Sequence, residues 1–126
     1  MSTRTMKEGV LDKRRRRSLE RYEKEYEKLK KELATTGYIV RGSVTERWMA
    51  CGKPECACHV DTEARHGPYY QWSWKDAGRT VSCYLDKDRA TLCRTWVSNS
   101  RRLDRILTRM RSLSLRVARL YEIAQK

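Results

Sequence analysis

The fold of this chain depends on the stretch Cys51-Gly-Lys-Pro-Glu-Cys56-Ala-Cys58-His59, which is followed at close range by the string His66-Gly-Pro-Tyr-Tyr70. Small chains gather thiols and imidazoles at such spacing chiefly to hold a metal, and zinc accepts both donors in a tetrahedral shell. The four ligands that would close a structural zinc site are Cys51, Cys56, Cys58 and His66. The stretch therefore predicts a structural zinc site and not a catalytic one.

Spacing alone leaves the fourth ligand open. His66 is favoured over His59, because His59 follows Cys58 directly and has difficulty reaching the same metal. Cys83, from a later strand-like run, is the other possible substitute. Cys93 falls in a helical segment, where we expect a half-buried small residue.

The chain is small and poor in apolar residues, so its fold needs stabilisation beyond a hydrophobic core. It has 126 residues, of which 39% are hydrophobic, and contains no Phe. A β unit of about fifty residues buries too little surface to be stable without a metal or a packed helix. No apolar run approaches the roughly 18 residues of a membrane span, so no membrane partner is expected. Five cysteines at local spacing fit a reducing, cytoplasmic location.

Charge is distributed unevenly along the chain. Lys and Arg number 29 against 16 Asp and Glu, which leaves a net charge of +13. Residues 1–37 hold 12 cations and 7 anions, residues 38–85 hold 6 and 5, and residues 86–126 hold 11 and 4. An excess of this size is typical of proteins that bind a polyanion, and it lies outside the predicted metal-binding segment.

The first part of the chain is predicted to be a disordered basic arm, residues 1–17, followed by an N-terminal helix, residues 18–37. Ser18 is the expected N-cap, and the helix closes at Gly37. The run Lys13–Arg17 opposes the helix macrodipole, so we place it outside the helix. The apolar seam of this helix is Leu19, Tyr22, Tyr26, Leu29 and Leu33.

Residues 38–85 are predicted to form a zinc-binding antiparallel β module. The strand-like runs, rich in β-branched and aromatic residues, are Tyr38–Val40, Val44–Met49, Tyr69–Trp74 and Thr80–Leu85. Alternation places Tyr70, Trp72 and Trp74 on one face, which we expect to be the core. Tyr69 lies on the opposite face and is expected to be exposed.

Residues 86–126 are predicted to form one long basic helix capped by Asp86. Its seam repeats at four- and three-residue spacing: Leu92, Trp96, Asn99, Leu103, Ile106, Met110, Leu113, Val117, Leu120 and Ala124. Asn99 is the polar member of the seam and a candidate for fixing register or oligomeric state.

The two helices are predicted to pair in opposite directions. Arginines occupy g positions of the second seam and glutamates those of the first, and antiparallel coiled coils bring g beside g. These residues are Arg102, Arg109 and Arg116 on one side and Glu25 and Glu32 on the other. The predicted fold is α+β, a small zinc-stapled antiparallel β head between two helices that form a coiled-coil-like stalk. The overhanging C-terminal helix would permit a homodimer.

The residues of the head also carry a family resemblance. The segments concerned are Gly42-Ser-Val-Thr-Glu-Arg-Trp48, Cys51-Gly-Lys-Pro-Glu-Cys56-Ala-Cys58, His66-Gly-Pro-Tyr-Tyr70 and the Trp-Ser-Trp and Gly-Arg-Thr strings after it. They resemble a family of small prokaryotic proteins of unknown function that are often encoded on mobile elements. The resemblance covers about residues 38–110 and implies a shared module linked to transposons or phages. It implies no activity.

Phosphate contacts are predicted outside the head, on the basic arm and the long helix. The alternative for the arm is a solvated charge run without a ligand. The candidates in the arm are Arg14, Arg15, Arg16 and Arg17. Those on the long helix lie at outer positions of the seam: Arg94, Arg101, Arg105, Arg111 and Arg119.

Three functions from different classes fit these features. The first is a zinc-stabilised nucleic-acid-binding accessory or regulatory protein of a mobile element, for which DNA and RNA fit equally well. The second is a coiled-coil protein-interaction module or adaptor, and a thiol redox switch at the cysteine cluster is a third interpretation. No motif predicts catalysis or a small-molecule substrate, so we do not expect an enzyme.

Overall fold

The computed structural model describes residues 11–123. Two α-helices and three strands follow one another as α1 (Lys13–Ala34), β1 (Ser43–Met49), β2 (His66–Asp76), β3 (Arg79–Leu85) and α2 (Lys87–Leu120). Two short 3₁₀ turns, Ala57–His59 and Thr62–Ala64, lie between β1 and β2. This order confirms the predicted α+β class.

The chain divides into two compact units. The sheet unit is Gly37–Arg101 and contains the three strands and the first half of α2. The helical unit combines the chain up to Thr36 with the chain from Arg102 onward, so it contains α1 and the second half of α2.

The three strands form one antiparallel sheet in the order β1-β2-β3. A two-residue loop, Ala77-Gly78, joins β2 to β3 in a hairpin. Both loop residues have positive φ, 50° and 81°, as a type I′ turn requires. This turn fixes the register that pairs Trp72 with Cys83.

One face of the sheet holds the aromatic core of the sheet unit. Tyr70, Trp72 and Trp74 are half-buried there, and the two indole rings stack with centroids 3.9 Å apart. The indole N–H of Trp72 donates to the carbonyl of Arg41 at 2.9 Å. Tyr69 lies on the opposite face with 41% of its surface exposed, so the predicted division of the aromatics is confirmed.

The first half of α2 begins as predicted but buries a different stripe from the predicted seam. The Asp86 carboxylate accepts the N–H of Arg89 at 2.8 Å, which confirms the N-cap. The buried positions are Ala90, Cys93, Val97 and Ser100, whereas Leu92 of the predicted seam is 50% exposed. The heptad prediction is wrong here because this half packs within the sheet unit. Arg94, for example, lies over the Tyr70 ring at 5.4 Å.

Asn99 holds a neighbouring segment and does not serve as a seam residue. Its side-chain N–H donates to the carbonyl of Tyr38 at 2.9 Å, and the Tyr38 ring packs edge-on against Trp96. The N–H of Val40 donates to the Trp96 carbonyl at 3.3 Å. The prediction of a strand over Tyr38–Val40 is therefore wrong, because α2 and not a strand satisfies these backbone groups.

Helix α1 begins at Lys13, which corrects two predictions. Asp12 is its N-cap and accepts the N–H of Arg15 at 2.8 Å, while Leu11 just before it is buried. Residues 13–17 are therefore helical and not a disordered arm, and Ser18 lies inside the helix. The cap and the buried leucine stabilise a first turn that the macrodipole disfavours. The predicted arm over residues 1–10 lies outside the described residues.

Within the helical unit, α1 and the second half of α2 run antiparallel. The residue numbers of the contacting partners increase along α1 and decrease along α2. Arg15 pairs with Glu122, Tyr22 with Arg116 and Glu25 with Arg109. The hydrogen bond from Arg109 lowers the pKa of the Glu25 carboxyl. Among the described residues, no ion pair joins the predicted partners Arg102 and Glu32.

The apolar contacts of this helix pair follow the predicted seams. Leu19, Ile106 and Leu113 are buried, and Leu113 has no exposed surface. Helix α2 ends at Leu120, earlier than predicted, with Glu122 in the left-handed region. None of the helices in residues 11–123 is long and apolar enough to cross a membrane.

We predict that Leu113→Ala lowers the free energy of unfolding by about 2–4 kcal/mol, because it leaves a cavity in the helix pair. Leu115→Ala is the matched control, since Leu115 lies on the same helix but is 45% exposed. Its effect should stay within about 0.5 kcal/mol. Urea denaturation followed by circular dichroism measures both, and equal losses would contradict the helix pairing described here.

Candidate metal centre

The end of the β1–β2 pair brings the two halves of the cluster together. Met49, the last residue of β1, pairs with His66, the first residue of β2. Cys51 follows Met49 by two residues and so lies beside His66. Cys56 caps the 3₁₀ turn Ala57–His59, and Cys58 lies within that turn with only 2% of its surface exposed.

The four predicted ligands converge on one point. The ligand atoms of Cys51, Cys56, Cys58 and His66 all lie within 4.8 Å of one another. The sulfurs of Cys51 and Cys58 are 3.5 Å apart, and the sulfur of Cys56 is 3.3 Å from Nε2 of His66. Ligands of a tetrahedral zinc ion with bonds of about 2.0–2.3 Å are separated by roughly 3.5 Å. These four side chains could therefore hold a metal ion with little rearrangement.

Backbone amides favour negative charge on the sulfurs. The N–H of Cys51 donates to the sulfur of Cys58 at 3.2 Å. The N–H of Cys58 and a hydrogen bond with His66 lower the pKa of Cys56 to about 6. For Cys58 the Cys51 N–H favours the thiolate, but burial and hydrogen bonds with the other thiols outweigh it and raise the pKa. The Cys56 thiol is thus ionised more readily than the Cys58 thiol before a metal binds.

The alternative fourth ligands lie elsewhere. His59 is exposed at the end of its 3₁₀ turn and does not belong to the cluster. Cys83 lies on the face of β3 that is shared with the tryptophans, where it pairs with Trp72. Burial raises the pKa of the Cys93 thiol, and the nearby Cys83 adds to this shift. The structure therefore places His66 with the three cysteines, as the spacing favoured. Cys93 is more deeply buried than predicted.

Gly67 permits the close approach of β1 that brings His66 to the cluster. The register of β1 and β2 shifts between Arg47 and Met49, and Gly67 opposite that shift has φ 150°. A Cβ at this position would lie 2.8 Å from the carbonyl oxygen of Arg47. Only glycine fits without displacing backbone. This explains the glycine in the His-Gly-Pro string.

These ligands lie inside a domain shared with other proteins, since one family profile matches residues 11–94. The chain belongs to the family of the domain of unknown function DUF6788. No curated protein and no solved structure matches the chain. The DUF6788 match begins earlier than the predicted resemblance and includes α1, the whole sheet and the start of α2.

The predicted phosphate-binding arginines of this DUF6788 protein fall into two groups. Arg15 is half-buried and paired with Glu122 at 3.0 Å, so its charge is neutralised within the helical unit. Arg94 lies over Tyr70. The others are exposed: Arg14, Arg16 and Arg17 on α1 and Arg101, Arg105, Arg111 and Arg119 on α2.

Sequence reasoning missed the amide donors of the cluster. The N–H groups of Cys51 and Cys58 hydrogen-bond to the sulfurs, yet every residue but proline has such a group. Residue identity therefore carries no signal for them. Only the path of the loop shows which amides point toward a sulfur.

We predict that the purified DUF6788 protein contains an equimolar bound metal, measured by elemental analysis. Cys58→Ser should abolish it, because Cys58 is the most buried ligand. Cys83→Ser and His59→Ala are matched controls that remove the same donor types outside the cluster, and both should retain the metal. Loss of metal in either control would assign the ligands differently.

A second prediction concerns the thiol of Cys56 in metal-free protein. Its alkylation by iodoacetamide should reach half its maximal rate at about pH 6, because the Cys58 N–H and His66 favour the thiolate. At pH 7 Cys56 should therefore be the first cysteine modified, as mass spectrometry of peptides would show. A midpoint near 8.5, the value of an ordinary cysteine, would contradict this geometry.

Proposed function

We propose that this DUF6788 protein is a zinc-stabilised nucleic-acid-binding protein with an accessory or regulatory role. Its basic helices contact the phosphate backbone, and its metal site holds the sheet unit together. The observation that carries the proposal is a group of exposed cations without partners at the start of α1. The mobile-element setting and cytoplasmic location suggested by the sequence are part of the same proposal.

The donor set supports zinc as the metal. Three thiols and one imidazole suit a borderline-soft ion that prefers tetrahedral sites, and four protein ligands leave no position for a substrate. Such a closed site contributes folding energy and does not catalyse a reaction. The proposal therefore assigns no enzymatic activity to the metal centre.

The first turns of α1 support an anionic partner. Lys13, Arg14, Arg16 and Arg17 are exposed, and within residues 11–123 their side chains make no hydrogen bond or ion pair. No acidic residue lies in the first turn. These charges repel one another and oppose the positive end of the helix dipole, so an anion bound there removes an unfavourable interaction.

Helix α2 adds further cations that the protein does not use internally. Arg109 is paired with Glu25, but four other arginines are exposed with neither an ion pair nor a ring contact in the described part of the chain. They are Arg101 in the sheet unit and Arg105, Arg111 and Arg119 in the helical unit. Exposed arginines suit phosphate oxygens because the guanidinium binds them in a bidentate manner.

We predict that binding to a DNA or RNA duplex weakens steeply with salt, and that the triple variant Arg14→Ala/Arg16→Ala/Arg17→Ala makes the dependence shallower. Each lost phosphate contact removes about 0.9 from the slope of log affinity against log salt for duplex DNA, so a decrease of about 2–3 is expected. Fluorescence anisotropy at several salt concentrations measures the slope.

The matched control removes the same charge from the same helix. Lys24→Ala/Lys28→Ala/Lys31→Ala takes away three cations that lie among the glutamates of α1. This variant should leave the salt slope close to that of the wild type. Equal slopes for both triple variants would refute a role for the first turns, and absence of binding to every nucleic acid would refute the proposed function.

An apolar groove supports the second candidate, a protein-interaction module. The groove has a volume of about 320 Å³ and lies within the helical unit, between Leu19, Tyr22 and Tyr26 of α1 and Leu113 and Val117 of α2. Grooves of this kind accept an apolar helix face. Sedimentation with and without nucleic acid separates the candidates: a dimer that binds no nucleic acid favours the interaction module.

A further inference from the structure

The outer face of the sheet, opposite the tryptophans, has a composition that the metal site and the basic helices do not explain. This outer face is defined by the strand register, which aligns its side chains in rows across the three strands. Its residues are Ser43, Thr45 and Arg47 on β1, Tyr69, Gln71, Ser73 and Lys75 on β2, and Thr80, Ser82 and Tyr84 on β3.

Two tyrosine rings stand on this face without partners. Tyr69 is 41% exposed and Tyr84 is 60% exposed. Neither ring makes a hydrogen bond or ring contact with any residue in the described part of the chain. Tyr84 pairs with Gln71, two residues from Tyr69, so the tyrosines are diagonal neighbours with Cα atoms about 7–8 Å apart.

The charge of the outer face favours an anionic partner. Arg47 and Lys75 are its two charged residues, and none of its ten residues is acidic. This contrasts with the segment 38–85 as a whole, which is almost neutral. The carboxylates of the strands, Glu46 and Asp76, belong to the other face.

Hydrogen bonds hold the polar side chains of the outer face in place. Arg47 donates to the amide oxygen of Gln71 at 3.3 Å, and Lys75 donates to Thr80 at 2.8 Å. The hydroxyls of Ser73 and Ser82 are 2.9 Å apart. The face is therefore a polar surface with donors and acceptors around two free rings. None of its ten residues has an aliphatic side chain.

We infer that the outer face binds the unpaired bases of single-stranded nucleic acid, with Tyr69 and Tyr84 stacking on two bases. Every base has a π-face that an exposed aromatic ring can cover, whereas the bases of a duplex are already stacked. Arg47 neutralises a phosphate of the bound strand, and the Gln71 amide forms hydrogen bonds with the edges of the bases. This inference rests on the proposed function and adds the class of nucleic acid to it.

The test compares a single strand with a duplex, using the full-length, metal-loaded protein. The probes are fluorescein-labelled dT12 and rU12, which separate DNA from RNA, and a DNA duplex of the same length. Tyr69→Ala and Tyr84→Ala should each weaken binding to a single strand about tenfold and leave duplex binding unchanged. Tyr69→Phe and Tyr84→Phe keep the ring and are the matched controls, with affinities close to that of the wild type.

The outcome of these binding measurements either supports or overturns the inference that the outer face binds single strands. Unchanged single-strand affinity in both alanine variants overturns it, even if the duplex binds and the proposed function stands. Failure of the wild type to bind any probe overturns both. Self-association that is lost in Tyr84→Ala assigns the outer face to a second copy of the chain and also overturns the inference. Metal content of each variant, equal to that of the wild type, verifies folding.

Discussion

The convergence of Cys51, Cys56, Cys58 and His66 on one point is the geometric constraint that closes the β1–β2 connection. The connection runs from Ala50 to Arg65 and contains only short 3₁₀ turns, so ordering it costs backbone entropy. Little apolar burial offsets that cost, since Cys58 is the one buried side chain described within it. A metal held by four converging ligands would supply the missing free energy through coordination. The amides that donate to the sulfurs already prepare the loop for such an ion.

The arginines of this chain have different roles according to where the fold places them. Arg109 and Arg15 face carboxylates of their own unit and stabilise the helix pair, although partly exposed pairs of this kind contribute little to stability. Arg14, Arg16 and Arg17 precede the glutamates of α1 and meet no carboxylate in the described residues. The same residue type is thus structural at one position of α1 and available to a partner at the positions beside it. The outer face of the sheet adds a different chemistry, in which free tyrosine rings accompany two cations.

The local residue pattern predicted helices and strands correctly where a single feature, such as alternation or a capping residue, was strong. Alternation assigned Tyr70, Trp72 and Trp74 to one face, and the Asp86 cap located the start of α2. Prediction failed where two local rules competed. The cations at Lys13–Arg17 argued against a helix, but the Asp12 cap and the buried Leu11 outweigh the dipole. The heptad pattern continues along the whole of α2 and gave no sign that the two halves of the helix belong to different units. A helix that packs in two environments need not bury the same stripe of residues in both.

The amino-acid sequence by itself determined three of the four candidate ligands, the α+β order of elements and the separation of charge from the predicted metal-binding segment. These properties depend on residue type and on spacing over a few residues, which local chemistry controls. Only the tertiary structure decided that Asn99 holds Tyr38, that Arg15 is neutralised by Glu122, and that Tyr69 and Tyr84 are neighbours. Each of these arrangements brings together residues distant in the chain. Strand register and helix packing alone bring such residues together, so no local pattern could reveal them.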